Sequence, residues 1–301
     1  MRLCFIGGMV GHIGGVFDLS EQISKRLRFP PEVTAAATVP DETHPPASRW
    51  NLACIRATFQ ELQGYSLPGV SLALSHWGIQ LRHGRPQDYS PDQHYREKEA
   101  SLLSTLQQVG AHPGQAVALF LDEVTFTQWP GVSSNWCEQA PTPRPLADRK
   151  QSKYRRSRVV GALDASSGRV CFLQDNHIGG QVFARFLRQL DAAYPQAQRI
   201  SLIWDNWPVH SSEIVEQTLA QLPRMQVVSL PTYAPWLNPI EKLWRKFRQE
   251  VDYLHDLADD WDALRARVRQ YFTQFAAGSP ALLRYVGLTG SGKLATALRG
   301  P

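Results

Sequence analysis

The chain has only four cysteines in 301 residues, Cys4, Cys54, Cys137 and Cys171, with no Cys-x-x-Cys pair and no neighbouring pair of histidines. That scatter argues against a disulfide framework and against a zinc site, so the thiols are expected to be reduced and structural. Long apolar runs are missing too. No stretch of about 18 apolar residues is present to cross a bilayer, and the start, residues 1–17, is broken by glycines and His12, which makes a poor secretory leader. The expected setting is cytoplasmic, at the nucleoid, with no membrane partner.

A nucleotide-binding loop is absent despite a near match. Gly287-Leu288-Thr289-Gly290-Ser291-Gly292-Lys293 is followed by Leu294 where a Ser or Thr would hold Mg²⁺, and no strand-to-helix context surrounds it. ATP is therefore not expected as a ligand, and residues 279–301 are read as a flexible C-terminal tail.

What is present points to a globular chain, 43% hydrophobic and 20% charged, long enough for one large domain and a small one. A net charge of +5 and a pI near 9.1 suit a polyanionic partner. A surplus of that size also fits heparin-binding or even neutral-ligand proteins, so the placement of the charge matters more than its sum.

Residues 1–46 are weakly patterned and end in a Pro/Thr-rich stretch, read as a segment and linker with one weak candidate helix around 19–27. Residues 47–86 follow as a helix-turn-helix. Leu52, Ile55, Phe59 and Leu62 recur at three- and four-residue steps, and Gly64 then breaks the pattern. Ser66 can cap the next helix, Pro68 suits its first turn, Val70, Leu74 and Trp77 line one face, and Gly78 ends it. Such a hairpin reads equally as a DNA-binding unit or a plain helical pair. The basic tract behind it, with Arg82 and Arg85, suits a DNA minor groove or a solvated linker.

A helical linker, 87–115, leads into a domain at 116–278 where strands and helices mix. Strands are expected at 117–121, 159–163, 170–173, 200–204 and 227–230, and helices at 181–193, from 212, from 239 and at 261–275. The order gives an α/β fold: an antiparallel meander, then helix-linked strands, in a mixed sheet with helices on both faces.

Acidic residues stand at the edges of these elements. Asp122 follows Ala118-Leu119-Phe120-Leu121 and Asp205 follows Leu202-Ile203-Trp204, so both are expected at strand C-terminal ends. One such Asp often only caps a turn. Glu241 belongs to the first turn of a helix with Asn238 as N-cap and Pro239 in first position. On that helix Ile240, Leu243, Trp244 and Phe247 form a buried face, while Glu241, Arg245 and Arg248 share another, putting a metal ligand beside two phosphate partners. Carboxylates carried to one place by separate elements can hold divalent cations, and an all-carboxylate site suits Mg²⁺ or Mn²⁺ better than Zn²⁺.

Across Asp122-Glu123, Asp205-Asn206 with His210, and Tyr233-Ala234-Pro235-Trp236-Leu237-Asn238-Pro239-Ile240-Glu241, the chain resembles transposases of the mariner superfamily, in their bacterial insertion-sequence branch. The resemblance spans roughly residues 119–250 plus the helix-turn-helix, and its third block is the most specific. It implies an RNase H-like mixed sheet flanked by helices, preceded by a small all-α helix-turn-helix domain. It also implies a DDE transposase whose catalytic triad is Asp122, Asp205 and Glu241. These three would hold two Mg²⁺ or Mn²⁺ ions about 3.5–4 Å apart, with Asp122 as the bridging ligand and no covalent protein nucleophile.

Glu123 points away from Asp122 in an extended strand, so it is assigned a supporting role, as are Asn206 and His210; a merely structural histidine is an equal alternative. The implied partners are double-stranded DNA, as transposon inverted repeats and as target DNA at TA, and a second copy in a synaptic homodimer. The resemblance implies two helix-turn-helix units, and before residue 46 this chain offers only the candidate helix around 19–27.

Residues 144–158 are the densest charge in the chain, with Arg149, Lys150, Lys153, Arg155, Arg156 and Arg158. In a hairpin beside an acidic pocket they would meet phosphates and offset the repulsion between DNA and carboxylates; on their own they are a solvated surface. Trp136 nearby stacks on a base or simply packs. Two rival functions stay open, a transposon-derived repressor without cleavage and an RNase H-like nuclease acting on RNA-containing duplexes. The intact triad argues against the first, and the helix-turn-helix and Arg85 tract against the second.

Overall fold

The computed structural model describes residues 21–25, 27, 50–81, 89–135, 146–149 and 154–300. Arg82, Arg85, Lys150, Lys153 and Trp136 lie outside the described residues. The chain divides into two units, Met1–Pro86 and Gln87–Pro301.

The first unit is helical. Helix α1 covers residues 21–25, α2 runs Leu52–Thr58 and α3 runs Leu67–His76. Asn51 starts α2 by accepting the Cys54 N–H at 2.8 Å. The single helix expected through 50–62 is instead broken: Phe59 is extended at φ −103° and ψ 113°, and a 3₁₀ turn, Gln60–Leu62, follows. Thr58 turns its hydroxyl back onto the Cys54 carbonyl at 2.9 Å, a local bond that competes with helix continuation. Ser66 caps α3 through the Gly69 N–H, Pro68 occupies the first turn, and Gly78 takes a positive φ of 74° just beyond the end. Ile23, Ile55, Leu62, Val70 and Leu74 form one buried cluster, so the weakly patterned N-terminal segment supplies a helix to this core.

The second unit is built on β1 (Ala116–Thr127), β2 (Arg156–Asp164), β3 (Val170–Asp175), β4 (Arg199–Trp204) and β5 (Met225–Ser229), in sheet order β3-β2-β1-β4-β5. Neighbours β1, β2 and β3 form an antiparallel meander, while β4 runs parallel to β1 and β5 parallel to β4. This is the mixed sheet that the residue pattern implies. Alternation along β1 divides its side chains between two layers. Val117, Leu119 and Leu121 pack with α5 (Gly180–Ala193) and α6 (Glu213–Ala220), whereas Ala118, Phe120, Val124 and Phe126 face α7 (Ile240–Phe247) and α8 (Trp261–Thr273).

β1 pairs with β4 only from Ala116 to Phe120 but continues along β2 to Thr127. Asp122 is therefore not at a strand end, as expected, but in the part of β1 that projects past its parallel neighbour. Val124 and Phe126 bury this extension, which explains why the strand outlasts the two acids.

Two expectations about the flanks need correction. The stretch read as a helical linker contains α4 (Tyr95–Ala111), whose Leu102, Leu106 and Val109 are buried in the sheet core. The stretch read as a flexible tail forms α9 (Pro280–Val286) and α10 (Lys293–Arg299). Ser279 caps α9, and Leu282, Leu283, Val286, Leu288 and Ala297 join the same core, so the glycine loop between the two helices is anchored on both sides.

Helices α4 and α10 touch at Gly110, where an added Cβ would run into the Leu298 carbonyl oxygen. Gly110→Ala is accordingly expected to lower the thermal unfolding midpoint, because overpacking costs about 1–3 kcal/mol and outweighs the ~1 kcal/mol gained in helix propensity. A raised midpoint in thermal melts would show that the two helices are not in close contact. Among the described residues no helix is long and apolar enough to cross a membrane.

Candidate active site

Asp122 is held from two sides. Its Oδ1 accepts the Glu123 N–H at 2.8 Å, and its Oδ2 accepts the indole N–H of Trp244 at 2.9 Å. The indole reaches it because the residue opposite Asp122 on β2 is Gly161, where a Cβ would stand 2.7 Å from Trp244 Cη2. Trp244 is fully buried on α7, less than one turn beyond Glu241, so the same helix supplies the donor and the second acid.

The start of α7 differs from the expected one. Pro239 occupies the cap position, and Asn238 does not cap the helix with its side chain. Asn238 instead reaches from its buried position to β1, its Nδ2 donating to the Leu121 carbonyl at 3.4 Å, while its backbone oxygen accepts the Glu241 N–H at 3.1 Å. Glu241 is thereby tied to the residue before Asp122.

The acids perturb one another. Burial, then the Glu241 charge, pushes the Asp122 carboxyl up to about 8, with Glu123 adding to the effect. Glu241 is raised as well, by desolvation first and by the charge of Asp205, while the Arg248 and Arg245 guanidiniums oppose the rise. Glu123 is pushed up to about 7 by burial and the charge of Asp205, against the pull of Arg158. Strand alternation turns Glu123 off the Asp122 face, yet beyond the end of β4 this brings it within the field of Asp205. The supporting acid is thus electrostatically part of the cluster.

Asp205 follows β4 directly, its side chain 57% exposed and its Oδ1 accepting the Trp207 N–H at 3.1 Å. Behind it His210 is stacked on Trp204, with ring centroids 4.4 Å apart and planes 16° from parallel, and its Nδ1 lies 3.0 Å from the Asp205 carbonyl oxygen. Burial holds the His210 pKa down. A neutral ring donating Nδ1–H satisfies that contact, so His210 braces the turn as a donor. Asn206 donates from Nδ2 to Thr232 Oγ1 at 2.7 Å, linking the ends of β4 and β5.

Asp92 completes this frame and was not singled out from the sequence. Its Oδ2 accepts the Thr232 N–H at 2.9 Å and Lys98 Nζ at 2.8 Å, and these hydrogen bonds, the Lys98 bond foremost, hold its carboxyl well below the usual range. Ser90-Pro91-Asp92 just ahead of α4 was the available signal, a turn-and-cap pattern that gives no hint of a partner 140 residues away.

A cavity of about 920 Å³ opens beside Glu241, lined also by Lys242, Arg245, Arg248, Trp236 and Lys293 among others. Arg245 and Arg248 thus share the Glu241 face of α7. Arg158 stands near Glu123, while Arg149, Arg155 and Arg156 are exposed. Among the described residues no three Asp, Glu, His or Cys side chains close into a finished metal-ligand set. Like charges oppose that closure, and a divalent cation would offset their repulsion. The donors fit such a cation: they are oxygens throughout, and the buried Oδ1 of Asn238, beside Glu241 in the cavity wall, has no hydrogen-bond partner.

Residues 117–265 match the family model described as DDE superfamily endonuclease. That span resembles the DDE endonuclease superfamily. An insertion element IS630 uncharacterized 39 kDa protein of Shigella sonnei is 28% identical over 227 residues, covering 74% of this chain and 64% of that relative. The chain therefore matches less than two thirds of that relative's length. Among solved structures, a Mos1 transposase paired-end complex with left transposon end aligns with a TM-score of 0.52 at 16% identity, over 94% of this chain and 86% of that one. A Mos1 mariner paired end complex with Mn aligns at 0.53 and 17% identity over the same shares. At these identities the likeness is one of fold.

Proposed function

We propose that this protein is a DNA transposase that cleaves at the inverted-repeat ends of its element and joins the freed 3′-hydroxyls to target DNA at TA. The observation that supports the reading is the mutual electrostatic influence of the four acids, Asp122 feeling Glu241 and Glu123, and Glu123 and Glu241 feeling Asp205, with a cation-lined cavity on the Glu241 side. A cytoplasmic, nucleoid-bound protein acting as a synaptic homodimer accords with it.

Asp122, Asp205 and Glu241 would hold two Mg²⁺ or Mn²⁺ ions, with Asp122 shared between them. Bound there, the cations supply activation of the attacking water or 3′-hydroxyl and charge stabilisation at the leaving oxygen. The chain's own residues do the rest. The Trp244 N–H fixes one carboxylate oxygen of Asp122, and the His210 and Asn206 contacts fix the Asp205 turn. Arg245 and Arg248 receive phosphate oxygens beside Glu241, and Arg158 balances Glu123. The exposed Arg149, Arg155 and Arg156 are assigned to the DNA backbone, as are Lys150, Lys153, Arg82 and Arg85, which lie outside the described residues.

The test is cleavage of a labelled duplex carrying the element's inverted repeats, with Mg²⁺, with Mn²⁺ and with chelator. Cutting at the repeat ends is expected with either metal and none with chelator. Asp205→Asn is expected to bind the duplex without cutting. Binding without cutting by the wild type would favour the repressor, and preference for an RNA-containing hybrid would favour the nuclease.

A further inference from the structure

The loop between β5 and α7 holds two aromatic side chains out in solvent. Tyr233 is 77% exposed and Trp236 is 42% exposed, although this loop lies directly between Asp205's neighbour and Glu241. Tyr233 also has φ of 53°, the left-handed region that a bulky side chain occupies only against a steric penalty. In the chain by itself neither strain nor exposure is repaid by burial.

The surrounding bonds force this conformation. Thr232 is clamped three ways: its Oγ1 accepts from Asn206 Nδ2 at 2.7 Å, its N–H donates to Asp92 Oδ2 at 2.9 Å, and its carbonyl accepts from Ser90 Oγ at 2.5 Å. On the other side Ala234 is buried, and the Trp236 indole N–H donates to the Tyr95 hydroxyl at 3.1 Å. Tyr233 is thus the unpacked residue of an otherwise fixed loop. Asn206 places it one link from Asp205, and Trp236 lines the same cavity as Glu241.

We infer that Tyr233 is a nucleobase-stacking site, holding a base of the strand whose scissile phosphate lies at the acids; this rests on the transposase reading. Aromatic faces stack on any base, and next to a polyanion channel a base is the flat, apolar surface on offer. The cations beside Glu241 hold the phosphates, and the ring fixes the base, so strand position is set at two points.

The experiment uses the full chain and a duplex ending in the inverted repeat, with 2-aminopurine at the base flanking the cut. Tyr233→Gly is expected to melt at or above the wild-type temperature, since glycine takes the positive φ without penalty. Its cleavage should nevertheless fall about ten- to a hundredfold, with loss of the 2-aminopurine quenching seen with wild type. Tyr233→Asn, which tolerates the same backbone without a ring, should behave alike, and Tyr233→Phe should restore both signals. Wild-type cutting and unchanged quenching in the glycine variant would overturn the stacking role alone. Failure of the wild type to bind or cut the duplex would overturn the transposase reading and the stacking role with it.

Discussion

Replacing Asp122 with Asn is expected to abolish metal-dependent cleavage while raising the thermal unfolding midpoint at pH 7–8. The Asp122 carboxyl is pushed up from 3.8 to about 8 by burial and by Glu241. A group whose folded pKa lies above its unfolded value keeps its full stabilising contribution below the unfolded pKa and loses it as pH rises through the folded one. For Asp122 that window runs from about 4 to about 8. At neutral pH the wild type therefore carries a penalty on the order of a few kcal/mol.

An amide, like the protonated acid, carries no charge and does not titrate; its single oxygen keeps the Trp244 bond and its NH2 gives up the Glu123 N–H, a loss of about 1 kcal/mol that is smaller than the charge penalty removed. The gap in midpoint between Asn variant and wild type should accordingly widen from pH 5 to pH 8 in thermal melts. Mg²⁺ should close it by stabilising the wild type with release of protons, because the cation replaces the proton between the carboxylates. A gap that is flat with pH would mean that Asp122 is not strained by its neighbours. Cleavage by the Asn variant would remove it from the triad.

That strain is what links sequence to site in this protein. The acids were legible because each is anchored by an apolar run: Trp204 before Asp205, Leu121 before Asp122, and the period of Ile240, Leu243, Trp244 and Phe247 on α7. The run of β1 past Asp122 was less legible, although Val124 and Phe126 keep the strand period, because two adjacent acids interrupt the apolar signal that marks a strand. Local periodicity also could not place Asp92, whose role is a bond to Thr232 across the fold, or the stack of His210 on Trp204. Both depend on which elements become neighbours, and that is a property of the sheet order. The C-terminal helices were hidden differently. The glycines of 287–292 read as a loop, and they are one, but Leu282, Leu283 and Val286 before them carry a helical face that binds the loop to the core.

The neutral-looking Gly161 was read only as part of a strand, yet Gly161→Ala is expected to reduce cleavage about a hundredfold. Its added Cβ would meet Trp244 Cη2 at 2.7 Å and Ile240 Cδ1 at 3.5 Å. Trp244 has no free space to absorb the methyl group in place, being fully buried and packed edge-on against Phe272 with centroids 5.7 Å apart. The indole must therefore be displaced, which draws its N–H off Asp122. A displacement of about 1 Å in a positioned site can cost about a hundredfold in rate, while the overpacking itself costs about 1–3 kcal/mol of stability.

The double variant Gly161→Ala with Trp244→Phe separates these effects, because phenylalanine makes room for the methyl group but has no N–H to donate. Thermal melts should show partial recovery of the midpoint, a non-additive coupling between contacting sites. Single-turnover cleavage should show none. Recovery of cleavage along with stability would mean that space around β2, and not the Trp244 hydrogen bond, sets the geometry of Asp122.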